Sequence, residues 1–488
     1  MSPAGARPRV GDELTLEIED LAFGGRGVAR AAGFVVFVRG ALPGERARVR
    51  VDRVKSGYAQ GTCLQVVRVS PERSAPPCRH YGECGGCDLQ HLACAAQTAA
   101  KRLQVIAMLR RLAGVDDPPV PDASPVGEPT MYRFSMDFDW GLDPRGGQVL
   151  GLHRAGRPAE IMAIEQCLLM PQEANEIRAW IARRAESFGL AARDSRRRRG
   201  LLRRAGIRLA RSTGEILVIL ETGRGEPPAL LDLARDLARA FPRVVGVVRR
   251  EFDRHDRPSG QSILGGRDHL FETVGGDRLK VPAWAFFQPN ASAAGALREV
   301  VVRTVEPAAG DAILELYCGV GLFTLPVARA ADQVVAVDLS RDAVTAAREN
   351  AASAGIANAR FLCRDAALAL GGLLQERVWD AILVDPPRSG LAPAVLEAIR
   401  AAPVRRVIYV SCDPATLARD LRLLMRGGGK RLSSVRCLDL FPQTHHVECV
   451  ALLEGRRTES STDGSVSAPR GAPVPDGLEP SGHPKRPG

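Results

Sequence analysis

Hydrophobic and polar positions change their rhythm three times along the 488 residues of this chain. From residue 10 to 69 the rhythm is short and close to two-fold. Apolar runs at 14–18, 34–38, 46–54 and 63–69 are punctuated by Gly24-Gly25, Gly33, Gly40, Pro43-Gly44 and Gly57. Such runs between turn residues predict short antiparallel strands closing into a small β-barrel, an OB-like shape that serves either RNA binding or structure alone. Residues 70–275 mix both periods. Helices are expected at 94–112, 171–188 and 228–241, a proline-rich crossing at 117–125, and strands within 132–164 and at 205–209, 215–221 and 244–250. This is the pattern of an α+β domain. Between 276 and 455, apolar runs at 312–317, 333–338, 359–363, 379–384, 404–410 and 447–453 alternate with helical periods. Strand–helix alternation predicts a parallel, Rossmann-like α/β sheet. Residues 456–488 hold Ser, Pro, Gly and charge without an apolar period, so a disordered tail is expected.

Composition narrows the partners. The net charge of +11 favours a polyanion, nucleic acid first among them. The run Arg193-Asp-Ser-Arg-Arg-Arg-Arg-Gly-Leu-Leu-Arg-Arg204 reads as a solvated loop or as an RNA-backbone contact. No apolar run reaches the length of a membrane span, and the first residues lack an apolar signal region, so a cytoplasmic protein is expected. Eleven cysteines without a secretory signal argue against disulfides. Four of them form Cys78-x5-Cys84-x2-Cys87 with Cys167 far downstream, which suits catalysis, metal or cluster binding.

Candidate chemistry gathers at the predicted strand ends. Cys412 follows the apolar run Ile408-Tyr-Val-Ser and precedes Asp413-Pro414, an N-cap and N1 proline. A thiol at a helix N-terminus is expected to lean toward thiolate, which marks a candidate nucleophile. Gly319-x-Gly321 follows the first long strand, and Asp338 ends the second, where a ribose diol would be held. A dinucleotide site is disfavoured on three counts. Thr324 stands where its third glycine would be, Glu315 lies inside the first strand, and the fourth strand ends in Asp385-Pro386-Pro387-Arg388. This arrangement resembles a class I S-adenosylmethionine (SAM) methyltransferase. The plainer reading of Asp-Pro-Pro is a turn.

SAM and a helix-capped cysteine together suggest methylation of uracil C5. A thiolate adds to C6, C5 takes the methyl, and a base removes the C5 proton so that the thiolate can leave. Glu448, in His445-His446-Val447-Glu448, is the expected base. His445 and His446 are alternatives, or contacts to RNA or solvent. The target base would be unpaired or flipped. Phe286-Phe287-Gln288-Pro289-Asn290 offers aromatic surface and an amide, or is an apolar hinge.

At this point the chain resembles the bacterial RNA uracil-C5 methyltransferase family. The matching segments are Phe286-Phe287-Gln288, Leu316-Tyr-Cys-Gly319, Asp385-Pro-Pro-Arg388, Ser411-Cys-Asp-Pro-Ala-Thr-Leu-Ala-Arg419 and His446-Val-Glu448. The resemblance implies Cys412 as nucleophile, Glu448 as base, and Gln288, Tyr317, Asp338, Asp365 and Asp385 as SAM contacts, with Asp385 also near the uracil. Two positions depart from it: the family often has Asn at Asp413 and at Leu322.

Within that family, Cys78, Cys84, Cys87 and Cys167 resemble the 4Fe–4S site of the large-subunit rRNA enzymes. All-cysteine ligation also fits structural zinc, and Cys94 is a spare fourth ligand. Cys63, Cys318, Cys363, Cys437 and Cys449 read as small core residues. The N-terminal barrel resembles a TRAM domain. Barrel, cluster and catalytic domain together imply 23S rRNA as substrate. The competing readings are the same chemistry on tRNA, an amino-group N-methyltransferase using Asp385-Pro-Pro, and a non-catalytic iron–sulfur RNA-binding protein. No membrane and no obligate protein partner are expected.

Overall fold

The computed structural model describes residues 7–143, 145–194, 199–225 and 227–455. The tail expected at 456–488 and residues 195–198 of the arginine run lie outside the described residues.

Strands β1 (Glu13–Ala22), β2 (Arg26–Ala31), β3 (Phe34–Arg39), β4 (Arg46–Val54) and β5 (Tyr58–Arg68) close into a barrel in the order β1-β2-β3-β5-β4. Period-two alternation puts Ile18, Ala29, Val36, Val38, Ala47, Val49 and Val51 inside it. Gly61 lets two strands approach closely, since a Cβ there would lie 2.6 Å from the Arg50 carbonyl oxygen. The expected barrel is therefore borne out. The pattern missed β2, whose polar ends hide a short apolar alternation.

The middle of the chain forms a seven-stranded sheet. Its strands are β7 (Ser135–Leu142), β8 (Gln148–Arg154), β9 (Arg157–Met162), β10 (Leu202–Leu209), β11 (Ile216–Gly223), β12 (Val244–Phe252) and β13 (Pro258–Gly266), in the order β13-β12-β11-β10-β7-β8-β9. Helices α2 (Gln172–Ser187) and α3 (Pro228–Ala240) cover one face, burying Phe138, Ile207, Val218 and Leu220 beneath Ile177, Ile181, Leu233 and Leu237. The opposite face, on which none of the described helices packs, holds Asp137, Arg204, Arg208 and Glu221.

Two segments from before this sheet belong to the C-terminal layer instead. Helix α1 (Cys94–Met108) continues into a π-helical turn at Leu109–Ala113, and its Val105 and Leu109 share a core with Leu417 and Leu421. The two-residue strand β6 (Ser124–Pro125) pairs with the edge of the C-terminal sheet. On α1, fully buried Lys101 meets the Asp439 carboxylate at 2.5 Å and the Phe441 carbonyl at 3.0 Å.

The hairpin β14 (His269–Val274) and β15 (Asp277–Pro282) turns at Gly275-Gly276, where the sequence placed a boundary, and leads into α4 (Ala291–Val305). The C-terminal strands are β16 (Ala312–Leu316), β17 (Gln333–Asp338), β18 (Ala359–Cys363), β19 (Ala381–Val384), β20 (Arg406–Ser411), β21 (Lys430–Asp439) and β22 (Glu448–Gly455). Their order is β18-β17-β16-β19-β20-β22-β21, parallel from β18 to β20 and antiparallel at β22. Helices α5 (Thr324–Ala328), α6 (Arg341–Ser353), α7 (Ala366–Glu376), α8 (Pro393–Ala401) and α9 (Pro414–Leu424) connect them. Strand order reverses at β16, so the loops after β16, β17, β19 and β20 open toward one crevice at the carboxyl edge.

Cysteine burial corrects one expectation. Cys318, Cys437 and Cys449 are buried, but Cys63 is only half-buried and Cys363 is exposed at the strand end. No helix among the described residues is long and apolar enough to cross a membrane.

Candidate active site

The glycine loop is held open by its own backbone. Tyr317, Gly319 and Gly321 take positive φ of 64, 55 and 91°. The Tyr317 and Cys318 amides donate to the Val337 carbonyl at 2.7 and 3.1 Å, pinning the loop to the end of β17. Asp338 completes the turn, accepting from the Gly319 amide at 2.9 Å and the Ser340 amide at 2.8 Å. Below the loop, buried Glu315 accepts from the Thr324 hydroxyl at 2.6 Å, while its Oε1 has no partner. The threonine that breaks the dinucleotide pattern is therefore the partner of the strand glutamate. Burial pushes Glu315 up to about 8, opposed by the Thr324 hydrogen bond and reinforced by the charges of Asp385 and Asp338.

Asp385 follows β19 and faces the same crevice. Although part of the residue meets solvent, the carboxyl is desolvated, and burial followed by the Asp338 charge raises it to about 7. Gln288 is buried upstream of α4. Asp365 is exposed and caps α7 by accepting from the Ala367 amide at 2.7 Å, and after burial its charge helps raise the Tyr317 hydroxyl.

Sheet register brings the nucleophile and base candidates together. Ser411 of β20 lies opposite Cys449 of β22, so one step further Cys412 faces Glu448 across the strand ends. Cys412 is half-buried. The expected drift toward thiolate is not realised. Burial, then the Glu448 charge, raises the thiol to about 11, and the Arg388 guanidinium acts against both by charge and hydrogen bonding. The helix dipole does not prevail because Asp413 takes the free α9 amides itself, from Ala415 at 3.0 Å and Thr416 at 2.9 Å. Glu448 is buried, and burial followed by the Asp385 charge holds its carboxyl well above the usual range. His446 Nε2 lies 3.3 Å from an Arg388 nitrogen. Burial, with His445, Arg388 and Arg133 nearby, lowers its pKa to about 3, so the neutral ring accepts from Arg388.

Sequence reasoning gave Arg388 no role, although it closes the Asp-Pro-Pro motif. It also missed Asp88, which lies 2.6 Å from His445 Nδ1 and 357 residues away in sequence. No local signal could have found that pair.

Cys78, Cys84, Cys87 and Cys167 line one small apolar cavity of about 30 Å³ with Met136, Leu152 and Ile164. Burial raises Cys87 to about 12 and also raises Cys84 and Cys167, and neighbouring thiols add to each shift. Among the described residues, no three Cys, His, Asp or Glu side chains already meet in metal-binding geometry. Four thiols lining one cavity, Cys167 buried and the other three half-buried, nonetheless match an all-cysteine donor set. Cys94, the spare ligand, does not line this cavity; it is exposed on α1, its sulfur 3.5 Å from Gln443 Nε2.

A crevice at the strand-order reversal, a glycine loop, an acid ending the second strand and Asp-Pro-Pro after the fourth define a class I methyltransferase. The chain matches the family model described as tRNA (Uracil-5-)-methyltransferase over residues 257–456, and the TRAM domain model over residues 7–64. It is 33% identical over 458 residues to an uncharacterised RNA methyltransferase of Halalkalibacterium halodurans, covering 93% of this chain and 99% of that one. It is 37% identical to another from Gloeobacter violaceus, covering 91% and 97%. Among solved structures it resembles the Pyrococcus abyssi tRNA (uracil-54, C5)-methyltransferase in complex with S-adenosyl-L-homocysteine. The TM-score is 0.69 at 25% identity, covering 90% of this chain and 100% of that one. The protein belongs to the RNA uracil-C5 methyltransferase family and is a SAM-dependent RNA methyltransferase.

Proposed function

We propose that the protein methylates C5 of one uridine in 23S rRNA through a covalent Cys412–C6 adduct. The observation that carries this reading is the β20–β22 register, which ends at Ser411 opposite Cys449 and so brings the next residues, Cys412 and Glu448, side by side, with Arg388 the group that favours the thiolate. SAM, when bound, supplies an electrophilic methyl. Gln288, Tyr317, Asp338, Asp365 and Asp385 hold it, and the acids around Glu315 suit its sulfonium charge. Arg388 stabilises the Cys412 thiolate, whose proton goes to solvent as the sulfur bonds C6. C5 then carries the electron pair that takes the methyl, releasing S-adenosylhomocysteine. Glu448, once ionised, removes the C5 proton; the pair re-forms the C5–C6 double bond and expels Cys412.

A 5-fluorouridine RNA tests the scheme. It should trap a covalent adduct on Cys412, because fluorine cannot leave as a proton. Glu448→Gln should accumulate the methylated adduct with ordinary RNA. Absence of both adducts from denaturing gels sinks the covalent scheme.

We assign Cys78, Cys84, Cys87 and Cys167 to a 4Fe–4S cluster with a role in fold and RNA binding. Iron and sulfide assays set against zinc content decide between the two occupants. The cluster and barrel favour rRNA. The second reading, tRNA, is favoured by the structural relative named above, which spans nearly the whole chain. Methylation of tRNA but not of a 23S transcript would overturn the rRNA choice.

A further inference from the structure

The helix-free face of the central sheet forms a groove of about 660 Å³ that runs to Gln288. Its floor follows from strand alternation. Ile207, Val218 and Val247 point under the helices, so Arg204, Arg208, Leu217, Ile219, Glu221 and Arg250 point into the groove. One wall is Trp284 with Phe286 and Phe287, from the segment joining the hairpin to α4. Phe286 is 70% exposed, an unusual position for a large apolar ring.

The charges in this groove are not equivalent. Arg208 pairs with Asp137 at 2.7 Å, and Arg204 pairs with Asp139 at 3.1 Å and Glu221 at 3.7 Å. Arg250 makes no such bond with a described residue. Its Nε is buried without a partner, and its guanidinium lies 4.4 Å from the Trp284 ring centre. A guanidinium backed by an indole, its other nitrogens hydrogen-bonded to no described residue, is a ready-made partner for phosphate and for a nucleobase plane. The groove also leads to Gln288, which the proposed function places at the methyl donor.

We propose that this groove seats the single-stranded RNA beside the target uridine, with one flanking base stacked on Trp284 and Arg250 binding the adjoining phosphate. The proposal rests on the uridine-methylating reading and adds where the neighbouring nucleotides lie. Aromatic stacking is tolerant of base identity, so the platform holds the strand rather than reading its sequence.

The test uses the full-length protein and a single-stranded RNA that it methylates, with 2-aminopurine placed in turn at each flanking position. One position should lose fluorescence on binding, and Trp284→Ala should abolish that quenching. Trp284→Ala and Arg250→Ala should each raise KM for RNA by roughly ten-fold, the scale of one lost stack. Their SAM affinity should stay within two-fold of the parent, and Trp284→Phe should restore most RNA affinity. Unchanged KM in both alanine variants overturns the groove, as does a matching loss of SAM affinity, which would mean a collapsed fold. If the unaltered protein makes no 5-methyluridine in any RNA, the functional reading falls instead.

Discussion

In the empty site Cys412 is a thiol, because desolvation and the Glu448 charge outweigh Arg388. Raised to about 11, it should react slowly with iodoacetamide near neutral pH and faster as pH rises. Exposed Cys363 supplies an internal control for reagent access. Arg388→Gln removes the one group favouring thiolate, so Cys412 labelling at pH 8 should fall about ten-fold for each unit of further rise. Peptide mass spectrometry across pH reads this directly, and equal labelling of Cys412 and Cys363 at pH 7 would refute it. The acids opposite the glycine loop predict a second pH effect. At neutral pH in the empty site, Asp385 at about 7 is half protonated and Glu315 at about 8 mostly so. A sulfonium favours their ionised forms. SAM affinity should therefore rise between pH 6 and 8.5, with protons released on binding. S-adenosylhomocysteine, whose sulfur is neutral, should show a weaker slope. Calorimetry in two buffers of different ionisation heat measures both, and identical slopes would contradict the argument.

Among the elements, α1 is held to the end of β21 and the segment after it by buried charge rather than by apolar contact alone. Lys101→Met leaves Asp439 with only the Thr98 hydroxyl at 3.2 Å and the Phe441 amide at 3.3 Å, a buried carboxylate without its cation. The cost should be about 3–5 kcal/mol, read as a lower midpoint in denaturant. A variant as stable as the parent would mean that the pair contributes nothing. The sequence announced α1 by its periodicity but not this attachment, since residues 101 and 439 meet only after the sheet has formed. Parallel strands such as β16, β19 and β20 were legible because both their faces are apolar. Strand β13 was not, since its run Pro-Ser-Gly-Gln-Ser is polar and mostly exposed at a sheet edge. Strand β21 was hidden by a register shift between Leu432 and Ser434, which breaks the alternation. In the site itself, motifs revealed Cys412, Glu448, Asp338 and Asp385, all at strand ends. Arg388 and the Asp88–His445 pair acquire roles only through packing.

At the scale of the whole molecule, the cysteine loop and the segment 442–448 are hydrogen-bonded to each other. The Asp88 and Leu89 amides both donate to the Gln443 carbonyl at 3.0 Å. The Tyr132 hydroxyl donates to the Pro442 carbonyl at 2.8 Å, and Gln97 of α1 accepts from the Gln443 amide at 2.7 Å. Gln443 sits at φ 69°, a conformation that a glutamine keeps only when its neighbours enforce it. The barrel adds Phe23, edge-on to His445 with ring centres 5.0 Å apart. Residues 442–448 therefore take their shape from groups more than 300 positions away, and Glu448 is the last of them. Loosening the cysteine loop should loosen this segment. Cys87→Ser should speed hydrogen exchange across 442–448 by at least ten-fold while leaving barrel strand β4, whose pairing is independent of the loop, unchanged. Uniform acceleration over both segments would indicate global destabilisation instead, and no acceleration at 442–448 would show that this segment holds its shape without the cysteines.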